Sequence, residues 1–125
     1  AIDVSFISLT KVLDPVRRLL VPRGDVVALI KPQFEARRDE VGRGGIVRSR
    51  ETHARVIGRV AGLVTRNGWR VRGLTASPIL GGEGNKEFLV WLRRDIAEPH
   101  TRAGENLRFS HKKCSITIAW VTNSR

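Results

Sequence analysis

The sequence has a single cysteine and no apolar run long enough to cross a bilayer. Because Cys114 stands alone among 125 residues, no internal disulfide can form, and a zinc site built on several cysteines is excluded. A lone thiol fits a reducing cytoplasm. The longest aliphatic run near the start, residues 26–30, falls far short of the ~20 apolar residues that a membrane-spanning helix needs. The first residues also lack a basic segment followed by an apolar one, so no secretion signal is predicted.

Acidic residues are also scarce relative to basic ones. Lys and Arg number 23 against 12 Asp and Glu, which gives a formal net charge of +11. This excess favours a polyanionic partner, namely RNA, DNA or an anionic membrane surface. The alternative is a solvated basic surface without a dedicated partner. The hydrophobic fraction of 41% is typical of a folded protein, and the length allows one domain or part of a larger one.

The first thirty residues predict a strand, a helix and a second strand. Residues 3–7 are β-branched and aromatic, and they end at Ser8, a good helix N-cap. Apolar residues then recur at helical spacing over residues 9–20, although Pro15 means that the helix begins there or is kinked there. The apolar run 25–30 predicts a strand buried on both faces, as in a parallel sheet flanked by helices. A strand without a preceding turn also suggests that the chain starts inside a fold.

The rest of the chain continues an α/β pattern. We expect a long loop, a helix, a strand, a Gly-rich connection and a last strand at residues 31–49, 50–66, 69–77, 79–85 and 87–92. The predicted order is β-α-β-loop-α-β-β, in which the last two strands form an antiparallel hairpin. Residues 94–125 form a polar tail, in which Cys114–Val121 has strand character but no obvious partner.

Polar residues occur where three of these strands begin or end. Asp3 lies near the start of the first strand, Lys31 directly follows the second, and Glu87 opens the last. Binding crevices of open α/β sheets lie beyond the carboxyl ends of the parallel strands. An antiparallel last strand would bring Glu87 to the same edge as Lys31, whereas Asp3 fits only if its strand is short. Spacing alone leaves open that these residues are solvated strand ends or local ion pairs.

Four sequence blocks in this order resemble the hemolysin A-type (TlyA-type) ribosomal RNA methyltransferases, which are relatives of the FtsJ-like 2′-O-methyltransferases. The blocks are DVSFISL, ALIKPQFE, GGIVR and SPILGGEGNKEF, at residues 3–9, 28–35, 44–48 and 77–88. Four blocks with their order and separations intact are a specific signal. The resemblance covers residues 1–93, so these residues are expected to form a partial catalytic domain. Residues 94–125 have no counterpart in the family.

The resemblance implies the C-terminal half of a Rossmann-like class I methyltransferase sheet with a Lys-Asp-Lys-Glu tetrad. Asp3, Lys31 and Glu87 match three members of the tetrad, and the first lysine would lie upstream of residue 1. The methyl donor would be S-adenosylmethionine, but the Gly-rich turn that holds it would also lie upstream. The residues of this chain that contact the cofactor therefore stay unassigned.

The implied substrate is a ribose 2′-hydroxyl of cytidine in small- and large-subunit ribosomal RNA. Lys31 would accept the hydroxyl proton or stabilise the developing oxyanion, and the two carboxylates would hold the lysines in place. Exposed arginines around the long loop suit phosphate binding, and an aromatic ring there suits base stacking. These expected RNA-binding residues are Arg37, Arg38, Arg43, Arg48 and Phe34. The alternatives are a solvated loop and an aromatic residue that anchors it.

Other candidate residues and functions are weaker. His53 is more typical of a surface or packing residue than of a base, since no nucleophile motif accompanies it, and Trp69 and Trp91 are expected in the core. Ser5 and Ser8 lack a Gly-x-Ser-x-Gly elbow, which disfavours a hydrolase. Two further functions stay open: an inactive basic module that binds ribosomal RNA or ribosomal subunits, and a membrane-lytic hemolysin. The second is disfavoured by the absence of a spanning segment and of a strongly amphipathic basic helix.

Overall fold

The computed structural model describes residues 1–95 and the backbone of residues 116–118. Within these residues the chain forms β1 (Ile2–Val4), α1 (Leu9–Leu19), β2 (Asp25–Ile30), α2 (Pro32–Glu35), α3 (Arg50–Arg66), β3 (Trp69–Ala76), β4 (Phe88–Arg94) and β5 (Ile116–Ile118). The predicted α/β order is confirmed, with one turn of α-helix, α2, and two 3₁₀ turns, Arg38–Glu40 and Arg43–Gly45, inside the predicted long loop. Most of the predicted tail, and of its predicted strand, lies outside the described residues.

The strands form one mixed sheet in the order β3-β4-β2-β1-β5. Strands β1 and β2 run parallel, and the pairs β2–β4 and β3–β4 are antiparallel. The predicted antiparallel pairing of β3 and β4 is therefore confirmed. The backbone of β5 pairs antiparallel with β1, a partner that the sequence did not indicate.

The helices α1 and α3 cover one face of this sheet. The covered face of β2 and β4 consists of residues buried to at least 94%: Val26, Ala28, Ile30, Val90 and Leu92. Their neighbours form the open face: Asp25, Val27, Leu29, Leu89, Trp91 and Arg93. Val27 is 44% exposed, so the prediction that both faces of β2 are buried is wrong. The prediction fails because α1 and α3 share one hydrophobic core on the same side of the sheet, and no described helix packs on the other side.

Helix α1 begins at Leu9, so the alternative that it starts at Pro15 is wrong. Ser8 caps its N-terminus and accepts a hydrogen bond from the Thr10 N–H. Leu9 and Leu13 on its inner face are buried. Proline inside a helix costs about 3 kcal/mol, and we attribute its tolerance here to this packing and capping.

Helix α3 packs beside α1 and follows its predicted bounds. Ser49 caps it by accepting a hydrogen bond from the Thr52 N–H, and a stripe of residues four positions apart faces the core: Val56, Val60 and Val64. Trp69, which opens β3, is 1% exposed as predicted, whereas Trp91 is 40% exposed, contrary to the prediction. No helix within residues 1–95 combines the length and the apolar character that crossing a bilayer requires.

Candidate active site

Strand register brings Lys31 and Glu87 to one edge of the sheet, with Ser5 beside them. Ile2 of β1 is paired with Ala28 of β2, so the residue opposite Lys31 on that side is Ser5. Ile30 of β2 is paired with Phe88 of β4, so the residue opposite Lys31 on the other side is Glu87. Extended past the strand ends, this register sets Lys31 between Ser5 and Glu87. An antiparallel last strand was expected to bring Glu87 to this edge.

The Lys31 side chain points toward β1 and is 14% exposed. Its Nζ lies 2.7 Å from Asp3 Oδ1 and donates a hydrogen bond to Ser5 Oγ at 3.1 Å. The strand β1 ends at Val4, which meets the condition under which Asp3 was expected to join the site. The arrangement thus holds a cation at the sheet edge, with the Asp3 side chain 57% exposed beside it.

Glu87 lies on the other side of the site and is buried, at 6% exposure. Its Oε1 accepts a hydrogen bond of 3.0 Å from Gln33 Nε2. Among residues 1–95, no ion pair within 4.0 Å joins Glu87 to Lys31. The structure therefore brings Asp3 and Lys31 into direct contact, and it brings Glu87 to the loop that carries Lys31 without pairing the two charges.

The short helix α2 fixes the position of this loop. Glu35 at its end accepts hydrogen bonds from Leu9 N–H at 2.6 Å and from the Ser8 hydroxyl at 2.8 Å. Burial raises the pKa of the Glu35 carboxyl group, while these two hydrogen bonds and the charge of Arg59 oppose the rise. Arg59 on α3 also donates to the Glu35 carbonyl. The segment after Lys31 is therefore tied to both helices of the covered face.

Two aromatic rings lie next to the site. The centroid of Phe34 is 5.0 Å from that of Phe6, with the ring planes tilted by 48°. Phe34 is half-buried, whereas Phe6 is 76% exposed and has a φ of 62°. A positive φ is uncommon for a bulky residue, and here it occurs between β1 and α1. The ring that offers a free face is thus Phe6, which the sequence did not single out, and Phe34 packs against it.

The arginines expected to contact RNA all lie on the surface around the loop between β2 and α3. The four, Arg37, Arg38, Arg43 and Arg48, are exposed, and the ion pairs found in residues 1–95 use other cations. The loop is shaped by Glu40, whose Oε1 accepts bonds from Arg55 at 3.1 and 2.6 Å. The guanidinium groups of the four loop arginines are therefore presented to solvent on an ordered loop.

Asn85 joins the two Gly-rich segments of the chain. It is 2% exposed, accepts a hydrogen bond from Val47 N–H at 3.0 Å, and donates to the carbonyls of Gly45 and Gly82 at 3.0 and 3.1 Å. His53 is also buried, with Nε2 at 3.0 Å from the Val47 carbonyl. His53 thus packs within the structure, as expected. The role of Asn85 was missed because a local sequence motif does not reveal a hydrogen-bond partner forty residues away.

The described residues do not contain the Gly-rich turn that was expected to hold S-adenosylmethionine. A Rossmann-like cofactor turn is Gly-rich and joins a strand end to a helix N-terminus. Here β1 reaches α1 through residues 5–8, which contain no glycine, and β2 leads directly into Lys31 and Pro32. Asn85 ties the Gly-rich segments to each other instead. Residues 1–95 also contain no cluster of three or more His, Cys, Asp or Glu side chains suited to a metal ion.

Comparison with known proteins identifies close relatives. A Bacillus subtilis (strain 168) protein named "Putative rRNA methyltransferase YqxC" is 53% identical over 91 residues, which cover 73% of this chain and 32% of that protein. The "16S/23S rRNA (cytidine-2'-O)-methyltransferase TlyA" of Mycobacterium tuberculosis (strain CDC 1551 / Oshkosh) is 42% identical over 91 residues, covering 73% and 34%. The crystal structure of "a putative hemolysin from Lactococcus lactis" superposes with a TM-score of 0.72 at 53% identity, covering 74% of this chain and 44% of that one.

A comparison with protein families agrees with these relatives. The chain spans about a third of the length of the two curated relatives. The model of the FtsJ-like methyltransferase family matches residues 1–94, which include Asp3, Lys31 and Glu87. This chain therefore belongs to the FtsJ-like methyltransferase family and is related to ribosomal RNA methyltransferases.

Proposed function

We propose that the protein containing this chain methylates a ribose 2′-hydroxyl in ribosomal RNA, and that Lys31, Asp3 and Glu87 form its catalytic edge. The observation that carries the proposal is the Lys31 amine, held 2.7 Å from Asp3 at the carboxyl end of β2. The related TlyA protein is named for the same reaction on cytidine of 16S and 23S RNA. Cytidine in the two ribosomal subunits is therefore the proposed target, and the cytoplasm is the proposed compartment.

The chemistry asks for a cation at the reacting oxygen. When a 2′-hydroxyl is methylated, its O–H bond breaks and the electron pair of the oxygen forms the new O–CH₃ bond, while the bond between the methyl carbon and its donor breaks and leaves its electron pair on the donor. The proton passes to water, and negative charge develops on the oxygen. The ammonium of Lys31 stabilises that charge, because fixed charges in partly buried sites act more strongly than in water. Asp3 and Ser5 fix the direction of the ammonium group.

The methyl donor proposed is S-adenosylmethionine, which the FtsJ-like family generally uses. When bound, it would supply a methyl group on a positively charged sulfur. Because residues 1–95 do not form a cofactor turn, we assign no residue to it and derive no step through it.

The surface around the site suits RNA. The exposed arginines of the loop between β2 and α3 are matched in geometry to phosphate oxygens, and the net charge of +11 attracts a polyanion. The exposed ring of Phe6, supported by Phe34, offers a face on which an unstacked base can rest. The proposed partners are accordingly ribosomal RNA and ribosomal subunits.

A second candidate is an RNA-binding module without catalytic activity. What favours it is the basic surface, with a net charge of +11 and exposed arginines around the loop between β2 and α3, since such a surface attracts a polyanion whether or not methyl transfer occurs. Both candidates predict that the chain binds RNA, and only the first predicts methyl transfer.

The test uses the complete natural protein that contains these 125 residues. Labelled methyl groups from S-adenosylmethionine are followed onto ribosomal subunits for the natural sequence, for Lys31→Ala, and for Lys11→Ala, which removes an exposed lysine of α1. We expect Lys31→Ala to lower kcat by about 10²–10³-fold, as removal of an oxyanion-stabilising group does. Lys11→Ala should leave kcat unchanged.

Affinity for RNA, measured in parallel by filter binding, separates the two candidates. If the natural protein binds RNA but transfers no methyl group, the second candidate holds. If Lys31→Ala transfers methyl groups as fast as Lys11→Ala, the role proposed for Lys31 is wrong.

A further inference from the structure

The carboxylate of Glu87 lies against a glycine that has no room for a side chain. A Cβ atom added at Gly81 would overlap Oε1 and Cδ of Glu87 and would lie 2.9 Å from its Oε2. Gly81 has φ −79° and ψ −168°, which any residue can adopt. Glycine is therefore required here by the space that the carboxylate occupies and not by the backbone conformation.

The backbone at Gly81 is held so that it cannot move away from the carboxylate. Its N–H donates to the Asn85 carbonyl at 2.8 Å, and its carbonyl accepts from Gly84 N–H at 3.1 Å. Asn85 is itself buried and bonded through its side chain to Val47 and Gly45. A methyl group at position 81 would thus displace the Glu87 carboxylate, which is the flexible end of its side chain, before it displaced the loop.

Gln33, on α2, holds the same carboxylate by a hydrogen bond. Its Nε2 donates to Glu87 Oε1 at 3.0 Å, while its Oε1 is buried and has no hydrogen-bond partner among the described residues. The bond to Glu87 therefore sets the orientation of the amide, because the reversed amide would place oxygen against oxygen. Gln33 lies on α2, two residues after Lys31, so it links the positions of the two charged groups.

We propose that Gly81 and Gln33 are positioning residues that together set where the Glu87 carboxylate stands relative to Lys31. This inference rests on the proposed function, in which Glu87 acts at the catalytic edge. Gly81 limits the carboxylate by its missing side chain, and Gln33 holds it by a hydrogen bond. Among the side chains of residues 1–95, Glu87 has no cation within 4.0 Å, and these two neutral groups determine its location.

The test compares two adjacent glycines of the same loop. Gly81→Ala adds a methyl group against Glu87, whereas a Cβ at Gly82 meets no atom within 4 Å, which makes Gly82→Ala the matched control. On the 125-residue chain, the carboxyl-carbon NMR resonance of Glu87 should move in Gly81→Ala and stay in place in Gly82→Ala. Gln33→Met, which keeps the length of the side chain but removes the donor, should also move it.

The second readout is steady-state methyl transfer by the complete natural protein. Gly81→Ala and Gln33→Met should lower kcat about 10- to 100-fold, as expected when a catalytic group is misplaced by an ångström or less, with the KM for RNA unchanged. Gly82→Ala should retain the natural kcat. Gln33→His, which restores a donor, should recover part of the loss in kcat caused by Gln33→Met.

The two readouts distinguish the failure of this inference from that of the proposed function. Without methyl transfer by the natural protein, the proposed function fails, and the resonance still reports whether Gly81 and Gln33 hold the carboxylate. If the Glu87 resonance is the same in Gly81→Ala, Gln33→Met and the control, the positioning role is overturned. It is equally overturned if the resonance moves while kcat does not. If Gly81→Ala does not fold, the comparison of Gln33→Met with Gly82→Ala decides by the same criteria.

Discussion

The two faces of the β2–β4 pair have similar apolar residues but different surroundings. On the covered face, Ala28 and Leu92 have no measurable exposure, whereas on the open face their neighbours Val27 and Trp91 are 44% and 40% exposed. Val27 and Trp91 are directly opposite each other in the ladder. An apolar run therefore shows that a strand can be buried on both faces, and the position of the helices decides which face is buried.

The open face has a polar network of its own. Asp25 accepts hydrogen bonds from Trp91 Nε1 at 2.9 Å and from Arg93 Nε at 2.8 Å. The guanidinium groups of Arg93 and Arg72 lie 5.9 and 5.8 Å from the centroid of the Trp91 ring. Exposed cation–π contacts and ion pairs each contribute about 1 kcal/mol or less. We therefore expect substitutions on the open face to cost less than those on the covered face.

The largest difference is expected for leucine truncation in β4. Leu92→Ala removes a fully buried side chain and should lower the free energy of unfolding by about 2–5 kcal/mol. Leu89→Ala, on the open face of the same strand, should cost clearly less because Leu89 is only partly buried. Urea denaturation followed by tryptophan fluorescence measures both. Equal losses would mean that the two faces are equally buried in solution.

A smaller difference is expected for a change that keeps shape but adds a hydroxyl group. Val26→Thr places the hydroxyl in the core, where Val26 is 6% exposed, and an unpaired hydroxyl there costs about 1–3 kcal/mol. Val27→Thr places it on the open face and should change stability by less than about 0.5 kcal/mol. The same denaturation measurement applies. A Val27→Thr variant as unstable as Val26→Thr would show that the open face is covered.

The smallest effect is expected from the exposed ion pair at the end of the open face. The hydrogen bond from Arg93 lowers the pKa of Asp25 below its ordinary 3.8, and the bond from Trp91 adds to the effect while burial opposes it. The unfolded chain therefore binds a proton before the folded chain does. The resulting stability is present above pH 3.8 and is lost as the pH falls below it toward the folded pKa.

This contribution should amount to about 0.2–1 kcal/mol, as is typical of exposed pairs. Melting temperatures measured between pH 2 and pH 6 should fall less steeply toward acid in Asp25→Asn than in the natural sequence. Identical pH dependence in the two proteins would show that Asp25 gains nothing from Arg93 in solution.

Much of the fold could be predicted from periodicity and capping residues. The bounds of β2 and α3 agree with the structure because a continuous apolar run and a capped apolar stripe are local signals. The start of α1 was ambiguous since the cost of Pro15 had to be compared with tertiary contacts of the helix, including the bond from Leu9 N–H to Glu35, twenty-six residues away. The local sequence does not reveal the stabilisation that such tertiary contacts give to the helix.

The candidate site was predictable to the extent that it follows strand ends. Lys31 and Glu87 were placed at one edge by the antiparallel direction of β4 alone. Ser5 was not recognised as a partner of Lys31, because their contact depends on the register between β1 and β2. Gln33 and Gly81 were not recognised either, since what they do depends on a buried carboxylate more than five residues away in the chain.

The outer strand of the sheet shows a further consequence of register. Among the described strands, β3 has one neighbour, and its pairing with β4 shifts between Val71 and Gly73, so Arg72 is an additional residue in the ladder. Arg70 and Arg72 are exposed. A bulge and positive charges on a free edge oppose pairing with the strand of another molecule. The irregularity that sends Arg72 toward Trp91 thus also protects this edge against aggregation.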